Sequence, residues 1–296
     1  MARTYLMSVR WSLSHILAFL VSLGGPPADA STNEIADDPV LSRGLEHTTE
    51  GRLLLEAAVA STNLMTDGRR GPVLATFWTR GRSDETVPVY LVKSGPGATS
   101  TPAVVPRGCS CIFVDLQVFE GWIRGHSTGP GRMSLEPKYL LTFMLLHEVG
   151  HLYKRSSGAE FANGNLSQLN VDPSLAKARE EEADDFSAGL IRERSRATPA
   201  STTSLEANWV AIELTKLSWN MQAYRTLDEF AAFATGKPSV YFDQNLTHPN
   251  LAWRVLRSNY LIQQSKETKE LLDAFEEARQ RGANPQPLYR KQGRAK

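Results

Sequence analysis

Two histidines four residues apart flank a glutamate in the segment His147-Glu148-Val149-Gly150-His151, which follows the apolar run at 139–146. An α-helix turns once every 3.6 residues, so His147 and His151 project from one face and can bind a single zinc ion through their imidazole nitrogens. Glu148 can reach a water molecule on that metal, where a carboxylate serves as a general base. The spacing therefore predicts a metal site with a base beside it.

The alternative is a buried amphipathic helix that binds no metal and whose two histidines are paired within the core. Burying His147, Glu148 and His151 beside Leu145 and Leu146 without a metal would leave polar groups unpaired in an apolar setting. A bound zinc ion removes that cost, which favours the metal site.

A catalytic zinc site usually has three protein ligands and a water molecule, so a third ligand must come from elsewhere in the chain. The acidic stretch Glu180-Glu181-Glu182-Ala183-Asp184 is the candidate. On a helix Glu180 and Asp184 lie on one side, which lets Glu180 bind the metal while Asp184 orients a ligating imidazole. The alternative is a solvated acidic helix start, which accounts well for Glu181 and Asp185.

The elements that must position these residues are mainly helices. We predict helices at 50–65, around 118–124, from the Leu135-Glu136-Pro137 start through His151, and at about 173–195, 203–222, 226–235 and 250–279. Strands are predicted at 73–79, 87–92 and 111–116, with loops at 94–107 and 125–132. The predicted fold class is α+β, mainly helical, with a small N-terminal sheet that is antiparallel or mixed.

Composition limits the classes of function. The 296 residues are 41% hydrophobic, enough for a sizeable core, and 33 basic against 32 acidic residues give a net charge of +1. No basic stripe of domain size is present, so nucleic-acid binding has no electrostatic support. Beyond the N-terminus the most apolar stretch, 139–149, is bounded by Lys138 and interrupted by Glu148, too short for a membrane span.

The N-terminus differs from the rest of the chain. Arg3 and Arg10 precede an apolar stretch at 16–23, a Gly-Gly-Pro-Pro break follows, and Ala28-Asp29-Ala30 offers a cleavage site. This pattern predicts a signal peptide over 1–30, cleaved after Ala30, and export to the periplasm or outside the cell. The alternative is a retained anchor, for which the apolar part is shorter than the roughly 20 residues required.

Two further segments and two cysteines complete the predictions. We expect 31–49 to be a flexible N-terminal segment and 282–296 to be a disordered basic tail. Cys109 and Cys111 would enter an oxidising compartment, where they form either a strained disulfide with each other or two free thiols.

Three motifs, in the same order, resemble a known group of zinc metallopeptidases. The segment 147–151 is similar to an H-E-x-G-H helix, 180–184 to an E-x-E-A-D helix, and Thr247-His248-Pro249 with Arg254 to a T-H-P…R element. Together they resemble gluzincins of the HtpX and CaaX prenyl protease type. The chain departs from that pattern because it lacks the membrane helices of many members and tandem helical repeats after the catalytic part.

The resemblance implies a zincin-like metallopeptidase domain over 50–281 with one Zn²⁺ held by His147, His151 and Glu180. Glu181 would replace Glu180 if the register shifts by one residue. By the same resemblance Glu148 is the catalytic base and Asp184 supports the ligands. His248 faces the metal, where it either stabilises the oxyanion or, in a resting form, occupies the open coordination position. His248 could instead simply start the next helix, in which case Arg254 would be a surface cation.

The resemblance also identifies a substrate-side strand at Ile112, Phe113 and Val114, which would pair with an extended polypeptide by β-augmentation. The expected function is a zinc endopeptidase in which the metal lowers the pKa of its water and Glu148 takes the proton. Two alternatives remain at this point. One is a catalytically silent zinc-binding periplasmic assembly factor, and the other is a cytoplasmic peptidase that cleaves regulators.

Overall fold

The computed structural model describes residues 48–78, 86–92, 101–105, 110–153, 173–198, 200–221 and 249–283. Within these ranges the chain forms seven α-helices, numbered in chain order: α1 (Thr49–Thr66), α2 (Leu116–Ser127), α3 (Pro137–Tyr153), α4 (Pro173–Ser195), α5 (Thr202–Met221), α6 (Leu251–Gln263) and α7 (Lys266–Ala283). The four strands in the same ranges are β1 (Val73–Thr76), β2 (Thr86–Leu91), β3 (Ala103–Val104) and β4 (Ile112–Val114).

Side-chain caps start several of the helices. The Thr48 hydroxyl accepts a hydrogen bond from the Gly51 N–H at the start of α1. Asp115 accepts from the Val118 N–H at the start of α2, and Asn250 accepts from the Trp253 N–H at the start of α6. Each cap satisfies one of the N–H groups that have no partner within the first turn.

The four strands form one mixed sheet in the order β1-β2-β4-β3. β1, β2 and β4 run parallel, and β3 pairs antiparallel with β4 through Ala103 opposite Val114 and Val104 opposite Phe113. The expected α+β class, mainly helical with a small sheet, is confirmed, and of the two predicted sheet types the mixed one is correct. The predicted loop at 94–107 was wrong at Ala103–Val104, because β4 pairs with these residues.

One face of the sheet packs against helices. Leu55 of α1, Leu141 and Leu145 of α3, and Val89 and Ile112 of the sheet are fully buried in one cluster. A second buried cluster joins α4 to α5 through residues that include Ile191, Val210 and Leu214. α3 lies between these clusters, since Leu146 on its other side belongs to the second one. The helix that carries the two histidines is therefore held in the middle of the core.

Most predicted element limits are close to the observed ones. α4 coincides with the predicted 173–195, and α1 and α5 differ from their predictions by one residue at each end. The single helix predicted at 250–279 is wrong. The chain breaks at Gln264, which has a left-handed φ of 57°, and the Ser265 hydroxyl then accepts from the Thr268 N–H to begin α7. The predicted helix at 226–235 lies outside the described residues.

Several predictions concern the ends of the chain. The proposed signal peptide at 1–30 lies outside the described residues, and so does most of the predicted N-terminal segment, apart from the start of α1. The predicted tail from 282 is wrong for its first two residues, because α7 continues to Ala283. Among the described residues no helix is both long and apolar enough to cross a bilayer. Cys111 takes part in a disulfide bond, and Cys109 is not among the described residues.

Candidate metal centre

The centre is built where α3 crosses α4. A Cβ atom added to Gly150 would lie 3.0 Å from the Ala183 Cα, 3.1 Å from its carbonyl oxygen and 3.2 Å from the Phe186 ring. These distances are tighter than ordinary Cβ contacts, so a side chain at residue 150 would push the two helix backbones apart by a few tenths of an ångström. Because Gly150 lies beside His151 and Ala183 lies beside Asp184, this contact brings the two motifs together.

Three donor groups converge at the crossing. The Nε2 atoms of His147 and His151 are 3.0 Å apart. Glu180 Oε2 lies 3.4 Å from His147 Nε2, and Glu180 Oε1 lies 3.4 Å from His151 Nε2. His147 and Glu180 are buried, and His151 is half-buried. This group can hold one metal ion.

The donor set fits zinc in spacing and in chemistry. A tetrahedral ion with bonds of about 2.0–2.2 Å to nitrogen and oxygen places its ligand atoms roughly 3.3–3.5 Å apart. Two of the three observed separations are 3.4 Å, and the separation of the two histidine nitrogens is shorter at 3.0 Å. Two imidazoles and one carboxylate are a common ligand set for catalytic zinc.

Asp184 and Arg254 contact the donor groups of this cluster. Asp184 Oδ1 lies 2.9 Å from His147 Nδ1, which fixes the imidazole so that Nε2 points to the other donors. Arg254, from α6, donates from Nε to Asp184 Oδ2 at 2.7 Å and from a terminal nitrogen to Oδ1 at 2.9 Å. A further Arg254 nitrogen lies 2.9 Å from Glu180 Oε2. One guanidinium therefore holds the Glu180 and Asp184 carboxylates together.

Charge pairing dominates the electrostatics of this cluster. Burial alone would lower the pKa of His147, but the Asp184 and Glu180 carboxylates outweigh it and raise that pKa to about 10. Burial would raise the pKa of Asp184, but Arg254 and His147 lower it to about 2. The same kind of pairing, with His147, His151 and Arg254, holds the pKa of Glu180 well below its usual range. These shifts favour the anionic form of both carboxylates.

Glu148 has a different environment from Glu180. It is buried with 6% of its surface exposed, and burial raises its pKa above the usual value for glutamate. The two imidazoles of His147 and His151 oppose that shift, and so does a hydrogen bond that the carboxylate accepts from the Val105 backbone N–H. The Glu148 side chain therefore extends from α3 toward the end of β3, beside the donor cluster.

The structure brings together most of the residues that the sequence singled out. His147, His151 and Glu180 form the cluster, and Asp184 and Arg254 contact it. The alternative ligand Glu181 is not part of the cluster and lies near Arg257 and Arg279, with a pKa raised by burial. His248 lies outside the described residues.

The predicted substrate strand is wrong in its position. Phe113 and Val114 are paired with β2 on one side and β3 on the other, and Ile112, Phe113 and Val114 are all buried. An extended substrate cannot add to a strand whose two edges are already paired. The edge strand that adjoins α3 is β3, and Val105 follows it. The sign of this strand in the sequence is faint: a short apolar run, Ala103-Val104-Val105, inside a Gly- and Pro-containing stretch.

Comparisons of this chain with protein-family models, with curated proteins and with solved structures find no match.

Proposed function

We propose that this protein is a zinc-dependent endopeptidase. The observation that carries the proposal is a buried carboxylate, Glu148, placed one residue from His147 and beside a cluster of three donors that can hold one metal ion. A site that only stabilises structure has no use for a base at this place. When bound, zinc would supply a Lewis acid that lowers the pKa of a water molecule to near neutrality.

In this proposal Glu148 transfers the proton. It accepts a proton from the attacking water and later gives it to the leaving amine, so it must be able to hold that proton in between. Burial favours the protonated form because it raises the pKa of Glu148, and the Val105 N–H and the two imidazoles limit the rise. These opposing influences suit a group that must both accept and donate a proton.

Asp184 and Arg254 act by position. Asp184 fixes the orientation of the His147 ring through a 2.9 Å contact, and Arg254 grips Asp184 with two nitrogens. Because both side chains hold their neighbours in place, the donor atoms do not need to move when a metal ion binds. A site built on two crossing helices has this rigidity. The positive charge of Arg254 also limits the repulsion between Asp184 and Glu180 in the interior.

An extended polypeptide is the substrate that the surrounding sheet favours. β3 is the end strand of the sheet order and lies next to α3, and its neighbour Val105 contacts Glu148 through the backbone. A substrate strand that pairs with the outer edge of β3 would bring its peptide groups to the base. Recognition through the backbone predicts broad selectivity for side chains.

We further propose that the fold is zincin-like and that the chain is related to gluzincins of the HtpX and CaaX prenyl protease type. The support is that helix α3, with its H-E-x-G-H segment, meets helix α4, with its E-x-E-A-D segment, at Gly150 and Ala183. Arg254 of the third motif also contacts the Glu180 and Asp184 carboxylates of α4 and the His147 ring of α3. Export through a signal peptide at 1–30 would make exported or misfolded proteins the substrates.

The test is a comparison of Glu148→Gln with a matched control. Glu182→Gln makes the same change on the exposed side of α4. In a casein degradation assay we expect the Glu148→Gln variant to lose about 10²–10⁴-fold in rate while it keeps its zinc, because proton transfer by one side chain contributes that much. Glu182→Gln should match the wild type. Full activity of Glu148→Gln, or a zinc-loaded wild type that cleaves nothing, would overturn the proposal.

A further inference from the structure

Helix α5 carries a row of large apolar side chains on its outer side. Leu205, Trp209, Ile212 and Trp219 expose 51%, 48%, 44% and 41% of their surface. We call these four residues the α5 stripe. Single exposed apolar residues are common on protein surfaces, but four large ones on one side of a helix, two of them tryptophans, are characteristic of an interaction site.

The spacing of the α5 stripe fits another helix. Trp209 follows Leu205 by four residues, and Ile212 follows Trp209 by three. Between Ile212 and Trp219, Lys216 occupies the intermediate position, again at steps of four and three. Steps of four and three average 3.5 residues, which is the repeat of a coiled-coil seam. Such a row stays narrow along a helix and faces one partner over its whole length. The fitting partner is therefore a helix with a similar apolar row.

The α5 stripe is complementary to itself. Leu205 and Trp219 lie seven residues on either side of Ile212, so a two-fold axis at Ile212 pairs the smaller end of one helix with the larger end of the other. The same axis places Lys216, which pairs with Glu213 of its own chain at 2.6 Å, opposite Asn208 of the second copy, one residue from Trp209. We propose that two copies of this chain associate through antiparallel α5 helices.

The size of the α5 stripe indicates a weak dimer. If each of the four residues has a full accessible area of roughly 200 Å², their exposed fractions correspond to about 370 Å² of apolar surface per copy. With about 65% apolar area in a homodimer interface, each copy would bury about 570 Å². Stable complexes bury about 800 Å² per partner, so the expected dissociation constant lies in the micromolar range.

Sedimentation analysis of the purified full chain tests the proposal. We expect the average mass to rise from monomer to dimer between about 1 and about 200 µM, and to stop there because a two-fold interface is closed. The Leu205→Glu, Ile212→Glu double variant should weaken association at least ten-fold. The control Leu53→Glu changes an exposed leucine (56%) on α1 and should dimerise like the wild type.

A cross-linking experiment keeps the test valid if the double variant fails to fold. Ile212→Cys places a thiol on the proposed axis, so oxidation should link two copies, whereas Lys266→Cys on α7, where the lysine side chain is 84% exposed, should not. A chain that stays monomeric at the highest concentration overturns the proposal, and so does equal cross-linking of both cysteine variants. Monomers that bind lipid vesicles through Ile212 would overturn it too, in favour of a membrane surface as the occupant.

Discussion

The cluster at the crossing of α3 and α4 and the α5 stripe both reverse the usual distribution of side chains, but in opposite senses. At the crossing, ionisable groups are buried, with Glu180 at 5% and Asp184 at 3% exposure. On α5, large apolar groups are exposed, with Trp209 at 48%. Folding alone favours neither arrangement. Burying a charged group costs desolvation free energy, and an apolar side chain that stays exposed contributes no hydrophobic free energy to folding.

The difference lies in how each region offsets its cost. The crossing offsets it internally, since Asp184, His147, Glu180 and Arg254 pair with one another. The α5 stripe has only partial cover, such as the stacking of Trp209 on Tyr139, and keeps nearly half of each side chain exposed. The buried cluster at the crossing is therefore suited to binding a small cation. The partly covered α5 stripe is suited to contact with a second protein surface.

The largest effect that we predict concerns the ligand set of the cluster. Glu180→Ala removes the only carboxylate among the three described donors, so metal affinity should fall by more than the 10–100-fold expected when a residue that merely orients a ligand is lost. Zinc content after dialysis, measured by atomic absorption, checks this. Glu181→Ala is the control and should bind zinc like the wild type. If the two variants behave in the opposite way, the ligand is Glu181.

The next prediction concerns the close approach of the helices. Gly150→Ala places a methyl group 3.0 Å from the Ala183 Cα, so α3 and α4 must move apart, and we expect a loss of about 1–3 kcal/mol in the free energy of unfolding. Gly189→Ala on α4 is the matched control, because no atom lies within 4 Å of its added Cβ. It should be neutral or stabilising by up to about 1 kcal/mol. Equal effects in urea unfolding would refute the packing argument.

How far the sequence predicts this molecule depends on whether a feature is local. The shared face of His147 and His151, and that of Glu180 and Asp184, follows from helix geometry alone, so the cluster could be predicted from spacing. Strand order could not, because it depends on pairing between distant segments. That is why the prediction that the strand Ile112–Val114 pairs with a substrate was wrong: β2 and β3 already occupy its two edges.

Other features needed tertiary information as well. Arg254 entered the prediction only through a resemblance, since nothing in its neighbourhood shows that a residue 70 positions from Asp184 contacts it. The contact of the Val105 N–H with Glu148 is a backbone feature and leaves no side-chain pattern. The break at Gln264 did have a local sign in Ser265, a favourable helix-start residue, which the apolar periodicity on both sides concealed.

A third prediction concerns acid stability of the metal-free protein. Arg254 and His147 lower the pKa of Asp184 from 3.8 to about 2, so the folded state favours the carboxylate and gains stability above the pKa of the unfolded chain. That stability, about 2 kcal/mol, is lost as the pH falls from about 5 to about 2. Asp184→Asn should therefore show a smaller loss of unfolding free energy over this interval. Parallel curves for variant and wild type in acid titrations would contradict the pairing.

The smallest predicted effect is the change in the free energy of unfolding caused by Ile212→Ala on the α5 stripe. Its comparison with a core substitution tests the contrast between exposed and buried apolar side chains. Ile212 is 44% exposed on α5, and Ile191 of α4 is fully buried, so the same substitution samples both environments. Ile191→Ala should cost about 2–5 kcal/mol through lost burial and a cavity. Ile212→Ala, measured at a dilution where the chain is monomeric, should stay within about 0.5 kcal/mol of the wild type. A large cost for Ile212→Ala in the monomer would mean that this side chain is needed for folding, and the α5 stripe would then belong to the core instead of to an interface.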